Sequence, residues 1–463
     1  MRTPHAIPVV AAALALAACN FPASSGAADA SVNAPEPDAI VVADAYIPDA
    51  SASGCLQPNT LECAGPVLRR CEAVGSQPID TTCAWGCSSN PQPHCAKLQP
   101  SGGAVTATDL DDPQNQLGNV AINAIVQGPI NTSDGSITGV RQSGQGVKNG
   151  IDFTVRNGVG IFRMKSLTVD GDLGTLQVVG TNALAIVATG NVTFKTRMNL
   201  AGACTTTAAG PGGGTGGAAQ TDGNGNGAGK GLHGSGIQND ASGGGGAGFG
   251  RRGGDGGDSR TQDGGDKGDS YGDATIATLA GGAGGAGGGG PMGGVGGGGG
   301  GAVQIAANGK IVFDGSALLP AGINAGGCGG KTGRDAGGGG GAGGAILLEA
   351  PVIELDQAGL TVNGGGGAGA GTSQSGANGA FSQARANGGT SNNQGNGGRG
   401  GARGNLSGSN GGDDNRGGGG GGGSVGWIRF NTYSGFIKLA NAFLSPTLSE
   451  EGTTTTQQTA NVQ

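Results

Sequence analysis

Aromatic side chains are scarce. Phe, Trp and Tyr make up 3% of the 463 residues, so any core must be small and aliphatic. Charge is scarce as well, at 12% Asp, Glu, Lys and Arg with a formal net charge of −7. That mild acidity carries no basic stripe, which argues against nucleic acid as a partner. Histidine is nearly absent, and His94 and His233 alone lie beyond the first few residues. No Cys-x-x-Cys pair is present among the nine cysteines, which argues against a metal site built around Cys95 and the adjacent His94. The longest apolar stretch, Ala6 to Ala15, is too short to span a bilayer as a helix. No strict Gly-X-Y period exists, so collagen is excluded.

Glycine is what the chain has in excess, 109 residues, with 19 prolines. Such a composition without a period ordinarily means low complexity. Here the apolar residues cluster instead of spreading. Leu184-Ala185-Ile186, Val192-Thr193-Phe194 and Ala201-Gly202-Ala203-Cys204 form one unit. Val303-Gln304-Ile305, Ile311-Val312-Phe313, a short piece at Ile323 and Ala325-Gly326-Gly327-Cys328 form the next. Ile346-Leu347-Leu348, Ile353-Glu354-Leu355 and Leu360-Thr361-Val362 follow. Trp427-Ile428-Arg429-Phe430 and Ile437-Lys438-Leu439 close the series. The middle strand reads apolar-x-apolar, with Thr193, Val312, Glu354 and Lys438 at x. That alternation buries one face of a strand and leaves the other in water.

One such unit cannot bury its own apolar face, but stacked units can. The expected fold is therefore all-β: a parallel β-helix or solenoid-like stack of three-strand rungs over 183–448, with long glycine-rich insertions. Those tracts span 205–300, 329–344 and 364–423. They read either as flexible loops or as extended polyglycine segments packed backbone to backbone, three residues per turn. Stacked rungs would also bring Cys204 and Cys328 within disulfide reach, a Cα separation of about 5–6 Å. Strand-like runs at 151–155, 161–164, 167–169 and 176–178 place entry strands or a solenoid cap over 98–182. Residues 449–463, with the run Thr453–Thr456, read as a disordered tail.

The N-terminus reads as targeting sequence. Leu16-Ala17-Ala18-Cys19 directly follows the apolar run and resembles a bacterial lipobox. The resemblance implies cleavage of signal peptide 1–18 and acylation of Cys19. Asn20 in place of an acidic residue resembles the lipoprotein class sorted to the outer membrane. Residues 19–54 repeat Asp-Ala at Asp29, Asp38, Asp44 and Asp49, with Pro35, Pro37 and Pro48 between. Small acidic residues without periodicity bury too little to fold, so this stretch is expected to be a tether. Residues 55–97 hold Cys55, Cys63, Cys71, Cys83, Cys87 and Cys95. In an exported chain these six imply three disulfides, with the pairing left open by sequence.

Three motifs look chemical. Ala325 to Thr332 fits a relaxed phosphate-binding loop with Lys331 as its cation. Glycines follow it where a helix N-terminus should stand, so a nucleotide site is not expected. Asp255, Asp258, Asp263, Asp266, Asp269 and Asp273 lie in one glycine-rich stretch, and Gly253-Gly254-Asp255-Gly256-Gly257-Asp258 resembles the start of a calcium-binding repeat. Arg260 stands where that repeat wants an apolar residue, so a solvated acidic loop is the simpler reading. Outward positions Glu354, Arg429 and Lys438 would be the candidates for a solenoid-type polysaccharide enzyme, and are more simply solvated strand residues.

Cys19, the Asp-Ala stalk, the Cys module, the strand opening at 343–348 and the closing Trp427-Ile428-Arg429-Phe430-Asn431 together resemble glycine-rich exported lipoproteins of myxobacteria. That family brings location and architecture but no established activity. The expectation is a non-catalytic, lipid-anchored, surface-exposed scaffold or adhesin of the outer membrane. It needs no cofactor or metal, and its partners are the membrane and extracellular polysaccharide or matrix, not nucleotide. The alternatives are a polysaccharide-acting enzyme on the same fold and a calcium-dependent binding module.

Overall fold

The structure, a computed structural model, describes residues 54–171, 174–225, 227–371 and 374–463. The signal peptide, Cys19 and the tether, apart from its last residue, lie outside the described residues. No described helix is long and apolar enough to cross a membrane.

The cysteine module contributes β1 (Thr60–Ala64), β2 (Val67–Cys71), β3 (Ile79–Thr82), β4 (Cys87–Ser88) and β5 (His94–Cys95). The first three form an antiparallel sheet. Bonds Cys55–Cys71, Cys63–Cys87 and Cys83–Cys95 staple a unit with almost no core of its own. The entry region supplies β6 (Asn119–Asn123), β7 (Ile130–Asn131), β8 (Gly146–Lys148), β9 (Ile151–Arg156), β10 (Val159–Met164), β11 (Ser166–Asp170) and β12 (Thr175–Val179). The repeats supply β13 (Ala183–Ala188), β14 (Val192–Phe194) and β15 (Arg197–Asn199). A short hairpin, β16 (Gly236–Ile237) and β17 (Asp240–Ala241), sits inside the first glycine tract. Next come β18 (Ala302–Ala307), β19 (Ile311–Asp314), β20 (Ala321–Asn324), β21 (Ala345–Glu349), β22 (Ile353–Asp356) and β23 (Ala358–Thr361). The last are β24 (Trp427–Thr432), β25 (Lys438–Ala440), β26 (Phe443–Ser445) and β27 (Thr455–Thr459).

Three large sheets result. The first has eight strands in the order β27-β24-β21-β18-β13-β10-β9-β8 and is mixed, because β8, β9 and β10 pair antiparallel. The second runs β25-β22-β19-β14-β11-β6 and the third β26-β23-β20-β15-β12-β7, each six strands and parallel. Corresponding residues of successive repeats pair directly: Thr193 with Val312, Val312 with Glu354, Glu354 with Lys438. Inward side chains therefore stack on their own kind. Phe194 and Phe313 lie 5.0 Å apart with rings 9° from parallel. The main apolar core fills the space between the sheets, with Ile186, Ile305, Leu348 and Phe430 from the first, Phe194 and Leu355 from the second, and Met198 and Ile323 from the third.

The expected parallel β-helix or solenoid-like stack of three-strand rungs is corrected by this topology. The sheets are large open parallel or mixed sheets, and through most of the repeats the chain does not pass directly from one turn to the next. After β15, β20 and β23 it leaves the sheets and returns only at β18, β21 and β24. The glycine tracts that intervene are not loops hanging from a coil. They pack into a body of their own against the outer face of the first sheet. Val159, Ala185, Ala306 and Leu347 there meet Ala247, Phe249, Ala283 and Ala342 of the tracts in a second apolar cluster. The first sheet is thus covered on both faces, which is why its strands, such as Ala-Leu-Ala-Ile-Val-Ala and Ala-Ile-Leu-Leu-Glu, are nearly continuous in apolar residues.

Hydrogen bonding inside the glycine body has a period of three. Gly243 and Gly246 donate to the carbonyls of Gly257 and Gly254, Gly244 and Ala247 to Gly337 and Gly340, and Gly245 and Gly248 to Leu232 and Gly229. The same segment accepts from Gly265 and Gly268, from Gly421 and Ser424, and from Ala286. One stretch of chain thereby touches six neighbours. A strand of period two cannot do this, whereas an extended chain of three residues per turn, with no internal hydrogen bonds, can. Glycine is needed for the close approach: a Cβ on Gly243 would land on the carbonyl oxygen of Gly419, and one on Gly246 on that of Gly422.

The tail is also corrected. Thr455–Thr459 forms β27 and pairs in parallel with β24, and Leu98 bridges to Val462. Threonine is β-branched and suits an edge strand, so polarity alone misreads this stretch.

Candidate functional site

At the rim of the body some amides meet no backbone carbonyl among the described residues. Side-chain oxygens take that place. The Asn410 and Asp413 side chains accept from the amides of Asp255 and Asp258, at 3.0 and 2.9 Å. The carboxylates of Asp255 and Asp258 accept in turn from the amides of Lys267 and Gly264, at 3.1 and 2.7 Å. Acidic residues spaced by three in Gly-Gly-Asp-Gly-Gly-Asp thus cap a three-residue period. They satisfy amides of Gly264 and Lys267 that would otherwise lack a protein partner.

Beside these caps lies a cleft of about 380 Å³, lined by Ala228, Lys230, Leu232, Asp255, Asp266, Lys267 and Asp269. The Lys267 ammonium sits 2.8 Å from the Asp255 carboxylate. Burial opposes ionisation of Asp255, but Lys267, through ammonium and amide, outweighs it and holds the carboxyl below its usual range. Lys230 reaches Asp222 at 3.0 Å, and the Nδ1 of His233 lies 2.7 Å from the same carboxylate. Desolvation again works against the charge, yet His233 and Lys230 bring Asp222 down to about 2. Arg252 pairs with Asp269 at 3.0 Å. Ammonium and carboxylate groups therefore share the lining of the cleft.

Three of the six aspartates of the calcium-like stretch, Asp255, Asp266 and Asp269, line this cleft without converging on one point. Asp255, Asp258 and Asp269 are engaged as above, and Asp273 accepts from the Thr275 amide at 2.7 Å. Among the described residues no group of three or more His, Cys, Asp or Glu side chains gathers where it could hold a metal ion. Glu354 and Lys438, placed on different repeats by sequence, meet at 2.8 Å, with Lys310 at 3.5 Å. Lys438 foremost holds the Glu354 carboxyl below its usual range. Arg429 is not an outward residue, and that expectation is corrected. It is 4% exposed, because β24 lies in the sheet covered on both faces. Its Nε donates to Asn431, which donates to Glu349, and Glu349 also accepts from Gln304 and Ser101. This buried network ties the segment around Ser101 to the first sheet.

Cys204 and Cys328 are bonded, with Cα atoms 5.1 Å apart. Lys331 is half-buried, and burial lowers its pKa. Its amide donates to the Val295 carbonyl, within glycine segments and not at a helix start. Gly422-Gly423-Ser424-Val425-Gly426 has the spacing of a hydrolase nucleophile turn, a match that is easily passed over inside a glycine run. Ser424 is fully buried, accepts from the Phe249 amide at 2.9 Å and donates to the Val425 carbonyl, so its hydroxyl faces the body and not a cleft. Comparison with protein families, with curated proteins and with solved structures finds no match for this chain.

Proposed function

We propose that the chain is a lipid-anchored, surface-exposed structural protein of the outer membrane, a scaffold or adhesin that carries out no reaction. The glycine body is the observation that carries this reading. Its backbones approach so closely that no side chain fits between them, so its interior supplies stiffness and shape. Disulfides add to this, three in the cysteine module and one closing the first glycine tract. A stiff body on an exported anchor suits presentation of a surface to matrix or neighbouring cells.

Two measurements test it. Metabolic labelling with palmitate is expected to mark the wild-type chain and not Cys19→Ser, and the variant is expected to leave the membrane fraction. The full chain is then exposed to bacterial and matrix polysaccharides, with binding and cleavage read together. Binding without new reducing or unsaturated ends supports the reading. Cleavage overturns it in favour of an enzyme.

A further inference from the structure

The cleft beside the rim caps has a geometry that suits a repeating polymer. Segment 264–269 donates to Gly243 and Gly246 and lies between two further segments. On one side Leu232 donates to the Asp266 carbonyl and Asp269 to the Ala228 carbonyl. On the other Gly253 donates to Gly268 and Gly256 to Gly265. Gly265 and Gly268 are buried, while Asp266 and Asp269 are exposed. At three residues per turn and about 3.1 Å per residue, these two positions recur about 9 Å apart along the segment. That is close to the two-sugar repeat of an extended β-linked glycan.

We propose that this cleft binds a neutral, hydroxyl-rich polysaccharide chain, a proposal that rests on the adhesin reading above. The lining offers ammonium groups on Lys230 and Lys267 and carboxylates on Asp255, Asp266 and Asp269. Among the described residues, Lys267, Lys230 and Arg252 are paired with Asp255, Asp222 and Asp269, whereas no ion pair or hydrogen bond engages the Asp266 carboxylate. A sugar hydroxyl both donates and accepts, so it can use carboxylate and ammonium in the same trough. A polyanion meets an excess of carboxylate, and a polycation meets two lysines. Ala228 and Leu232 supply apolar surface for the C–H face of a ring. The volume of about 380 Å³ lies at the small end of ligand sites, room for a short oligosaccharide stretch. Among the described residues no aromatic ring lines the cleft, so hydrogen bonds to its charged groups carry the contact, and many copies engaging one polymer strengthen retention.

The test uses the full chain in detergent, titrated by calorimetry and by saturation-transfer NMR with soluble β-linked glucan oligosaccharides, and with polygalacturonate as the polyanion. The glucan is expected to bind and polygalacturonate to bind at least tenfold more weakly. Asp266→Ala is expected to weaken glucan binding at least tenfold at unchanged melting temperature. Asp263→Ala, one turn back on the same segment and off the cleft, is expected to leave it unchanged. Equal binding by Asp266→Ala and wild type overturns the cleft while leaving adhesion standing, provided the immobilised full chain still captures whole matrix. Stronger binding of polygalacturonate, or no glucan binding by a chain that captures matrix, also overturns the cleft. Failure to capture any matrix removes the adhesin reading itself, and the cleft proposal with it.

Discussion

The carboxylate of Asp255 accepts from the backbone amide of Lys267 at 3.1 Å and pairs with its ammonium at 2.8 Å. One side chain thus satisfies the Lys267 amide and neutralises its ammonium. Removing it leaves a rim amide without its protein partner and Lys267 without its ion. Asp255→Ala is expected to cost about 1–2 kcal/mol, read as a lower thermal midpoint. Asp255→Asn keeps an oxygen for the amide and is expected to lose less. Equal losses would show that the ion pair, and not the cap, is what matters.

Close approach in the glycine body makes a sharper demand. Gly243→Ala drives a methyl into the Gly419 carbonyl, with backbone on every side to resist it. It is expected to cost more than about 3 kcal/mol, at the upper end of overpacking effects, or to prevent folding. Gly404→Ala meets nothing nearer than Glu450 at 3.4 Å and is expected to be tolerated. Chemical denaturation of the two variants side by side measures the contrast.

Cys204 and Cys328, 124 positions apart, close a loop that contains the whole first glycine tract. Cys204→Ser combined with Cys328→Ser releases that tract in the unfolded chain. A loop of this order is expected to contribute about 4–5 kcal/mol through unfolded-state entropy. Unfolding of the double variant against wild type, both without reductant, tests the figure.

Asp222 titrates at about 2 in the folded chain, below its unfolded value near ~3.9. A depressed carboxylate stabilises the fold above its unfolded pKa, and this contribution is lost as pH falls through the folded one. Melting temperature is therefore expected to fall between about pH 4 and pH 2, with Asp222→Asn showing a flatter profile over that window. A wild-type profile no steeper than the variant's would contradict the assignment.

The mostly-β, disulfide-bonded character was legible in the sequence, because apolar-x-apolar triplets recur and the cysteines cluster. The closed coil was not there to be read. Triplets such as Ile353-Glu354-Leu355 reveal strands but not where the chain goes between them. Glycine has no side chain, so a segment like 243–248 carries neither a period-two nor a helical hydropathy signal, and its three-residue order exists only in backbone hydrogen bonds. Arg429 was misplaced for a related reason: alternation exposes every second residue only when one sheet face is free, and the glycine tracts cover the second face. Asp255 and Asp258 looked like solvated or calcium-binding residues because capping a neighbouring segment leaves no local mark.

The central claim is that the glycine tracts form an ordered, hydrogen-bonded body stiff enough to serve as a scaffold. Hydrogen exchange resolved by peptide over 243–248, 337–343 and 418–424 tests it most directly. Amides bonded as Gly244 is to Gly337 and Gly337 is to Gly418 are expected to exchange as slowly as those of β18 and β21. Exchange at the rate of an open chain, while those strands stay protected, would contradict the claim.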